Sequence, residues 1–234
     1  MEMINVFVLQ LEESEYLPDY QNRLLHYLPE ESRLRTQNHT NPKSRLQSVA
    51  GELLARYAIR HFTDNPVVEI NIHFGEKGKP FVENLTDIHF NISHSGDYVV
   101  CAVSVNEVGI DVERKRKVNL RIAERYFSPA ELLDLMKFDE EDRMNYFITL
   151  WTSKESYLKA IGEGLTQHLN SFTVTKNGDT YLLTDNDQAQ HYGIRTFKLP
   201  DGFVMAVCSE RPFSLSEMKH VTLNEIIGIL PKYS

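Results

Sequence analysis

The chain has 234 residues, of which 41% are hydrophobic and 25% charged, as in globular proteins with a sizeable core. Its formal net charge of −8 argues against broad nucleic-acid binding, because that function needs many cations set against phosphates. We expect no membrane span, since no apolar run approaches the ~20 residues that a bilayer requires. The N-terminus lacks a basic leader, and Cys101 and Cys208 lie in apolar runs typical of reduced thiols, so we expect a cytoplasmic protein.

Hydrophobic periodicity predicts the elements of the first half of the chain. We expect strands over residues 4–11, 68–74, 89–93 and 98–105, and helices over 16–28 and 42–62, the second capped by Asn41-Pro42. The polar segment 30–40 indicates a loop or a frayed helix. The short turn Asn106-Glu107 predicts an antiparallel hairpin between 98–105 and the strand that follows.

The second half shows the same kinds of signal. Ser128-Pro129-Ala130-Glu131 is a capping box, and a long helix over 141–161 is expected to stop at Gly162. Asn177-Gly178 predicts a hairpin between strands 172–175 and 181–184. Further strands are expected over 193–199 and 203–208, and a short helix over 223–230.

The order of these elements repeats: strand, long helix, then strands that end in similar apolar runs at 96–104 and 201–209. We therefore predict an α+β fold of two similar halves, residues 1–108 and 109–212, followed by a tail, 213–234. A functional site is expected at the seam between the halves, because clefts commonly form there.

The stretch Gly109-Ile110-Asp111-Val112-Glu113 carries a carboxylate pair. In a strand, Ile110 and Val112 face a core, whereas Asp111 and Glu113 point to the opposite side about 7 Å apart. Two carboxylates so placed repel each other unless a cation lies between them. The alternative, the solvated face of an edge strand, is the stronger on strand pattern alone. Gly109, which allows a close backbone approach, argues against it.

A third carboxylate lies in the helical stretch Trp151-Thr152-Ser153-Lys154-Glu155-Ser156-Tyr157-Leu158-Lys159. Glu155 and Lys159 fall one turn apart on one face, which alone would indicate an ordinary surface ion pair. Lys154 interrupts the buried stripe, so it needs an anion or a route to water. Glu155 and Lys159, together with Asp111 and Glu113, could form a magnesium and phosphate site.

Three further segments could bind an anion, although each also fits an ordinary turn or loop. Asn91-Ile92-Ser93-His94-Ser95-Gly96 can present backbone and side-chain donors to a phosphate. A hydrolase nucleophile there is a weak alternative, because no nucleophile-elbow pattern surrounds it. Gly78-Lys79-Pro80 places a cation on a rigid turn. The basic run Arg114-Lys115-Arg116-Lys117 could meet an acidic partner or a ligand phosphate.

Taken together, these blocks resemble the Sfp-type phosphopantetheinyl transferases. The resemblance rests on Gly109-Ile110-Asp111-Val112-Glu113 and on Trp151-x-x-Lys154-Glu155-Ser156-x-x-Lys159-x-x-Gly162-x-Gly164-Leu165, preceded at the family's usual distance by the block that ends in Ser93-His94-Ser95-Gly96 and by Gly78-Lys79-Pro80. It is strong over residues 78–165 and looser over the rest of the chain. The combination is highly specific, whereas the carboxylate motif alone is not.

The resemblance implies a monomer of two similar α+β halves related by a pseudo-two-fold, with coenzyme A and magnesium bound between them. It implies transfer of 4'-phosphopantetheine from coenzyme A to a serine of an apo acyl or peptidyl carrier protein, with release of adenosine 3',5'-bisphosphate. By motif, the magnesium ligands would be Asp111, Glu113 and Glu155. The residues that would contact the coenzyme are Lys79, Pro80, Ser93, His94 and Lys159.

The chain departs from the family's pattern in one place. The family usually has a basic residue three or four positions before the helix glycine that Gly51 matches, where this chain has Gln47 and Ser48. Arg45, a little earlier, is expected to substitute as a coenzyme contact.

We expect three catalytic residues. Glu155 is the first candidate for the base that takes the proton of the carrier serine, and Glu113 is the second. Lys159, together with His94, would neutralise charge on the leaving phosphate. Two other functions stay open: a magnesium-dependent phosphohydrolase acting on a nucleotide pyrophosphate, and a non-catalytic module that binds the carrier or the coenzyme.

Overall fold

The computed structural model describes residues 2–65, 69–116, 120–164, 169–185 and 188–233. Within these ranges the strands are β1 (Glu2–Gln10), β2 (Ile72–Phe74), β3 (Pro80–Val82), β4 (His89–Ser95), β5 (Tyr98–Ser104), β6 (Val108–Arg114), β7 (Phe172–Asn177), β8 (Thr180–Asp185), β9 (Gln188–Leu199), β10 (Phe203–Ser209) and β11 (Phe213–Val221). The helices are α1 (Pro18–Leu25), α2 (Glu30–Gln37), α3 (Pro42–Thr63), α4 (Leu120–Tyr126), α5 (Pro129–Leu135), α6 (Glu140–Ile161) and α7 (Leu223–Ile229). Short 3₁₀ helices occur at Glu13–Tyr16, Leu169–Ser171 and Pro200–Gly202.

Two sheets form the centre of this α+β fold. The first sheet has the strand order β11-β1-β5-β4, and the second has the order β6-β10-β9-β8-β7. β1 pairs in parallel with β11, whereas the other pairs in the two sheets are antiparallel. The short strands β2 and β3 form a separate hairpin.

Each sheet carries one long helix, and both helices begin and end as their sequences predict. Asn41 caps α3 by accepting from the backbone N–H groups of Lys43 and Ser44, and Asp139 caps α6 in a similar way. α6 ends at Gly162, which has a φ of +72° that glycine adopts without strain. α3 packs on the first sheet and α6 on the second.

The two sheets pack face to face through a shared apolar layer. Its fully buried side chains come from β1, β5, β6 and β10 and include Ile4, Val6, Val100, Ala102, Ile110, Val112, Met205 and Val207. The rings of Tyr98 and Phe203 meet there, with their centroids 4.8 Å apart. Burying one large aliphatic side chain of this kind stabilises the fold by about 1.5–3 kcal/mol. The layer therefore joins the two sheets, and the predicted inward direction of Ile110 and Val112 is confirmed.

Gly109 allows α6 to lie directly on β6. A Cβ atom at this position would be 2.0 Å from the carbonyl oxygen of Ser156 and 2.4 Å from the backbone nitrogen of Ala160. No side chain fits between the strand and the helix at that distance. The close approach that Gly109 predicted is confirmed, and it brings the last turns of α6 next to the carboxylate strand.

The predicted hairpin between residues 98–105 and the next strand is wrong. β5 pairs with β1 and β4, whereas β6 pairs with β10 in the other sheet. The chain crosses between sheets after Ser104 because both strands present an apolar face to the shared layer. At the crossing, the carboxylate of Glu2 accepts from the hydroxyls of Ser104 and Ser209, the serines that end β5 and β10.

Other segments also differ from the prediction. The polar segment 30–40 contains the regular helix α2, and the predicted helix 16–28 starts at Pro18 after a 3₁₀ turn. The predicted strand 68–74 is observed over Ile72–Phe74, and its first residue lies outside the described residues. β11 was not predicted, because as an edge strand it is half polar and lacks a clear alternation.

The predicted tail packs on the first sheet. β11 lies beside β1, and α7 contributes Leu223 and Ile226 to the core around α3. The division into residues 1–108, 109–212 and 213–234 stays a prediction. Among the described residues, none of the helices is both long and apolar enough to cross a membrane.

Lys154, which interrupts the buried stripe of α6, finds its anion inside the core. Its Nζ lies 2.9 Å from Oε2 of Glu131, and both side chains are 1% exposed. The ammonium also donates to the carbonyls of Leu169 and Phe172 at 2.7 and 2.6 Å. Burial raises the pKa of Glu131 and lowers the pKa of Lys154, and each group opposes the shift of the other.

Replacing Glu131 by glutamine should lower the free energy of unfolding by about 3–5 kcal/mol, because Lys154 would keep a buried charge without its counter-ion. The measurement is urea denaturation followed by circular dichroism. Asp134→Asn is the matched control, since it removes an exposed pair with Lys137 three residues along the chain. The control should lose about 0–1 kcal/mol. Equal losses in the two variants would contradict the assignment.

Candidate active site

A cavity of about 520 Å³ opens where β4, β6 and the second half of α6 meet. Its polar wall is formed by Ser93, His94, Asp111, Glu113, Glu155 and Lys159. The carboxylates of the two sequence motifs, which lie more than 40 positions apart in the chain, therefore line one cavity. The sequence predicted a site at the seam between residues 1–108 and 109–212, and the cavity lies between β4 of the first range and β6 and α6 of the second.

Side chains of β4 complete the hydrogen bonding of β6, which is the edge strand of its sheet. Oδ1 of Asn91 accepts from the backbone N–H of Ile110 at 3.1 Å, and Oγ of Ser93 accepts from that of Val112 at 3.3 Å. The hydroxyl of Ser95 donates to Glu113 at 3.0 Å. The polar face of β4 is therefore buried against β6, and the solvated-edge alternative for Asp111 is wrong.

Asp111 is the most buried carboxylate of the cavity, with 5% of the residue exposed. Its Oδ1 accepts from the hydroxyl of Ser93 at 2.8 Å and from Nζ of Lys159 at 2.7 Å. Lys159 also donates to Ser93 at 2.8 Å. Oδ2 of Asp111 is buried and has no hydrogen-bond partner in the described part of the chain. A buried acceptor of this kind favours a bound donor or cation.

Burial and neighbouring negative charge raise the pKa values of Glu113 and Glu155. Burial, followed by the charges of Asp111 and Glu113, raises the pKa of Glu155 to about 7, although Lys159 opposes the shift. Burial and the Asp111 charge also raise the pKa of Glu113. The cavity therefore holds three acids but one lysine in the described part of its wall, so its carboxylates are not fully neutralised there.

His94 differs from the acids because it is exposed at the mouth of the cavity. Neighbouring protein atoms nevertheless exclude part of the water around its ring. This desolvation, followed by the charge of Lys159, lowers the pKa of the imidazole. Near neutral pH the ring is therefore mostly uncharged, and it can donate or accept a hydrogen bond.

The carboxylates of the cavity are of the kind that binds Mg²⁺, but their present positions do not form a complete metal site. Carboxylate oxygens are the protein ligands that Mg²⁺ prefers, and Asp111 offers an unpartnered one. Within the described ranges, however, no three His, Cys, Asp or Glu side chains converge closely enough to hold one ion. Lys159 is bound to Asp111 instead. Glu113 and Glu155 would have to rotate towards Asp111 to share a cation.

Three residues expected to contact the coenzyme lie outside the cavity wall. The ammonium of Lys79 contacts the carboxylate of Glu107 and the carbonyl of Ala160 at the end of α6. Pro80 starts β3 in the separate hairpin. Arg45 lies in the second turn of α3, and its buried Nε has no hydrogen-bond partner among the described residues. Lys117 and Leu165 lie outside the described residues.

Two aromatic residues line the cavity without having been predicted as site residues. Tyr126 and Trp151 meet edge to face, with their ring centroids 5.5 Å apart. Trp151 lies one helical turn before Glu155, so helix periodicity could have placed it on the same face. Tyr126 lies in α4, which we did not predict, and nothing in the local sequence pattern relates it to the site.

Two family models match consecutive parts of the chain. A family model described as the 4'-phosphopantetheinyl transferase superfamily matches residues 107–208, and a second, described as 4'-phosphopantetheinyl transferase, N-terminal, matches residues 17–106. The 4'-phosphopantetheinyl transferase Sfp of Bacillus subtilis (strain 168) is 32% identical over 207 residues, which cover 88% of this chain and 92% of that protein.

Two more relatives carry the same name. The 4'-phosphopantetheinyl transferase gsp of Aneurinibacillus migulanus is 38% identical over 171 residues, which cover 73% of this chain and 71% of that protein. The 4'-phosphopantetheinyl transferase psf-1 of Bacillus pumilus is 34% identical and covers 79% of each chain. The resemblance seen in the motifs is confirmed, and the chain belongs to the 4'-phosphopantetheinyl transferase superfamily.

Proposed function

We propose that this chain transfers the 4'-phosphopantetheine group of coenzyme A to a serine of an apo acyl or peptidyl carrier protein, in the cavity between β4, β6 and α6. One observation carries this proposal: Asp111 and Glu113 line the same cavity as Glu155 and Lys159. The relatives described above are named as transferases, and none of them supports the phosphohydrolase or the non-catalytic module.

The reaction replaces the phosphoanhydride bond of coenzyme A by a phosphodiester bond to the carrier serine. The serine oxygen attacks the phosphorus that carries the pantetheine arm, and the bond from that phosphorus to the bridging pyrophosphate oxygen breaks. Adenosine 3',5'-bisphosphate leaves with the electron pair, and the serine proton passes to a base. Such a transfer depends on charge neutralisation and in-line positioning.

Asp111, Glu113 and Glu155 would hold Mg²⁺. Bound there, the ion would supply positive charge to the pyrophosphate oxygens. The unpartnered Oδ2 of Asp111 and the raised pKa of Glu155 support this assignment, because a cation relieves both the unmet acceptor and the repulsion among the acids.

Glu155 is the proposed base, with Glu113 second. The pKa of about 7 belongs to the metal-free site, and a bound cation would lower it, so this assignment rests on the position of Glu155 in the cavity wall, one helical turn from Lys159. The ammonium of Lys159 stands beside the acids and would offset charge on the leaving phosphate. Ser93 holds Lys159 and Asp111 together, and His94 would donate a hydrogen bond from a neutral ring.

The more distant contacts of the coenzyme stay predictions. Lys79, Pro80 and Arg45 would lie along its nucleotide end, outside the cavity. For Lys79 this contact requires that the ammonium be shared with, or leave, Glu107 and the Ala160 carbonyl. A monomeric state and a cytoplasmic location also stay predictions.

Incubating several apo carrier proteins with the chain, coenzyme A and Mg²⁺ should add the mass of one phosphopantetheine to at least one carrier, measured by intact-mass spectrometry. Chelating Mg²⁺ with EDTA should abolish the gain. Hydrolysis of coenzyme A in the absence of any carrier would instead favour the phosphohydrolase. Binding without turnover and without metal dependence would favour the non-catalytic module.

Asp111→Ala should lower the transfer rate by about 10²-fold or more, because the site loses the acid that pairs with Lys159 and would hold the metal. Circular dichroism should show an intact fold. Asp134→Ala, an exposed acid of the same half outside the cavity, serves as the control and should keep its activity. Near-normal transfer by a folded Asp111→Ala variant would refute the metal assignment.

Glu155→Gln should raise the melting temperature of the metal-free protein at about pH 8, although it should abolish efficient transfer. The folded-state pKa of about 7 lies above the ordinary value of 4.5. The free energy of unfolding therefore falls as pH rises from about 4.5 to about 7. Glutamine removes this loss. The gain should therefore shrink at about pH 5, where the folded carboxyl is already protonated.

Differential scanning fluorimetry in EDTA measures both melting temperatures. Glu124→Gln, an exposed acid on α4, is the matched control and should change neither. A destabilised Glu155→Gln variant at the higher pH would show that Glu155 is not in repulsive surroundings.

A further inference from the structure

A group of polar contacts around Glu107 holds the end of α6 from outside the cavity. Glu107 lies in the connection between β5 and β6, and its Oε2 accepts from Nζ of Lys79. Its Oε1 lies 3.3 Å from Nδ1 of His89, at the start of β4. Lys79 donates in addition to the carbonyl oxygen of Ala160. We call Glu107, Lys79 and His89 the clasp.

Both partners of Glu107 stabilise its carboxylate. Hydrogen bonding from His89, followed by that from Lys79, lowers the pKa of Glu107 to about 2 despite partial burial. The Lys79 side chain is 21% exposed. A Cβ atom on Gly162 would lie 3.0 Å from Cδ of Lys79, so the lysine stem packs against the turn that ends the helix. The clasp is therefore packed and not a loose surface contact.

The Ala160 carbonyl is one of the last four of α6 and lacks a partner within the helix. A lysine ammonium satisfies that oxygen and is also favoured by the negative end of the helix dipole. Ala160 directly follows Lys159, whose Nζ lies 2.7 Å from Oδ1 of Asp111. Any shift of this last turn would move Lys159 relative to Asp111.

We propose that Glu107 is a positioning residue for the transfer reaction: it holds Lys79 against the Ala160 carbonyl and thereby fixes the last turn of α6 against the carboxylate strand. Glu107 is not part of the cavity wall, so it acts through Lys79 and α6. This role rests on the proposed function of the cavity. It gives Lys79 a task that does not depend on contact with the coenzyme.

Glu107→Gln should lower kcat by about tenfold, because misplacing catalytic groups by less than an ångström is costly. Glu107→Asp should recover part of kcat, since a shorter carboxylate can still pair with Lys79. Glu163→Gln is the matched control. It breaks the Lys77–Glu163 ion pair at the same junction, leaves Lys79 in place, and should retain wild-type kcat. Wild-type kcat in Glu107→Gln would overturn the proposal.

A double-mutant cycle with Lys79→Met tests whether Glu107 affects kcat through Lys79. Because Glu107 acts through Lys79, adding Glu107→Gln to Lys79→Met should cause no further loss of kcat. If the two losses multiply, Glu107 acts in another way and the proposal fails.

Hydrogen exchange provides a readout that does not depend on catalysis. Backbone amides of residues 156–162 should exchange faster in Glu107→Gln than in the wild type or in Glu163→Gln, because the last turn of α6 is less firmly held. Unchanged exchange there would overturn the proposal even if kcat falls. Absence of transfer by the wild-type chain would refute the proposed function, while the exchange rates would still test the clasp.

Discussion

The hydrogen bonds from β4 side chains to the edge of β6 are the contact on which the candidate site depends. β6 ends its sheet, so one row of its backbone N–H groups faces no strand. Asn91 and Ser93 satisfy two of these groups, and leaving one buried and unpaired would cost about 1–3 kcal/mol. These bonds fix the register between the two sheets. Because Ser93 also bonds to Asp111, the same register places the carboxylate strand in the cavity wall.

The helix α6 carries two lysines with opposite environments. Lys154 is balanced inside the core by Glu131 and by two backbone carbonyls, so its charge is part of the fold. Lys159 faces three acids, whose charges together exceed its own. Burial, followed by the charges of Asp111 and Glu113, raises the pKa of Glu155 to about 7. The carboxylates thus repel one another beside the cavity, whereas the charge of Lys154, earlier on the same helix, is neutralised. Local instability of this kind is typical of sites that bind a ligand.

Much of the fold could be predicted because its signals are local. The caps Asn41 and Ser128 and the terminating Gly162 act within one helical turn of themselves, so α3, α5 and α6 begin or end where the sequence indicates. The hairpin of β5 with β6 was wrong because strand pairing depends on which faces are buried together. No turn residue encodes that choice. β11 was missed because it is half polar without a clear alternation, and its pairing with β1, at the other end of the chain, leaves no local signal.

The sequence by itself determined the chemistry available: three acids, Lys159 and His94 in motifs whose spacing implies a family. The tertiary structure decided which of these groups meet. It brings Asp111, Glu113, Glu155 and Lys159 into one cavity, but it places Lys79 against Glu107 and the end of α6. The physical reason is that strand and helix periods fix the direction of a side chain, whereas its partner across the fold depends on how the two sheets pack.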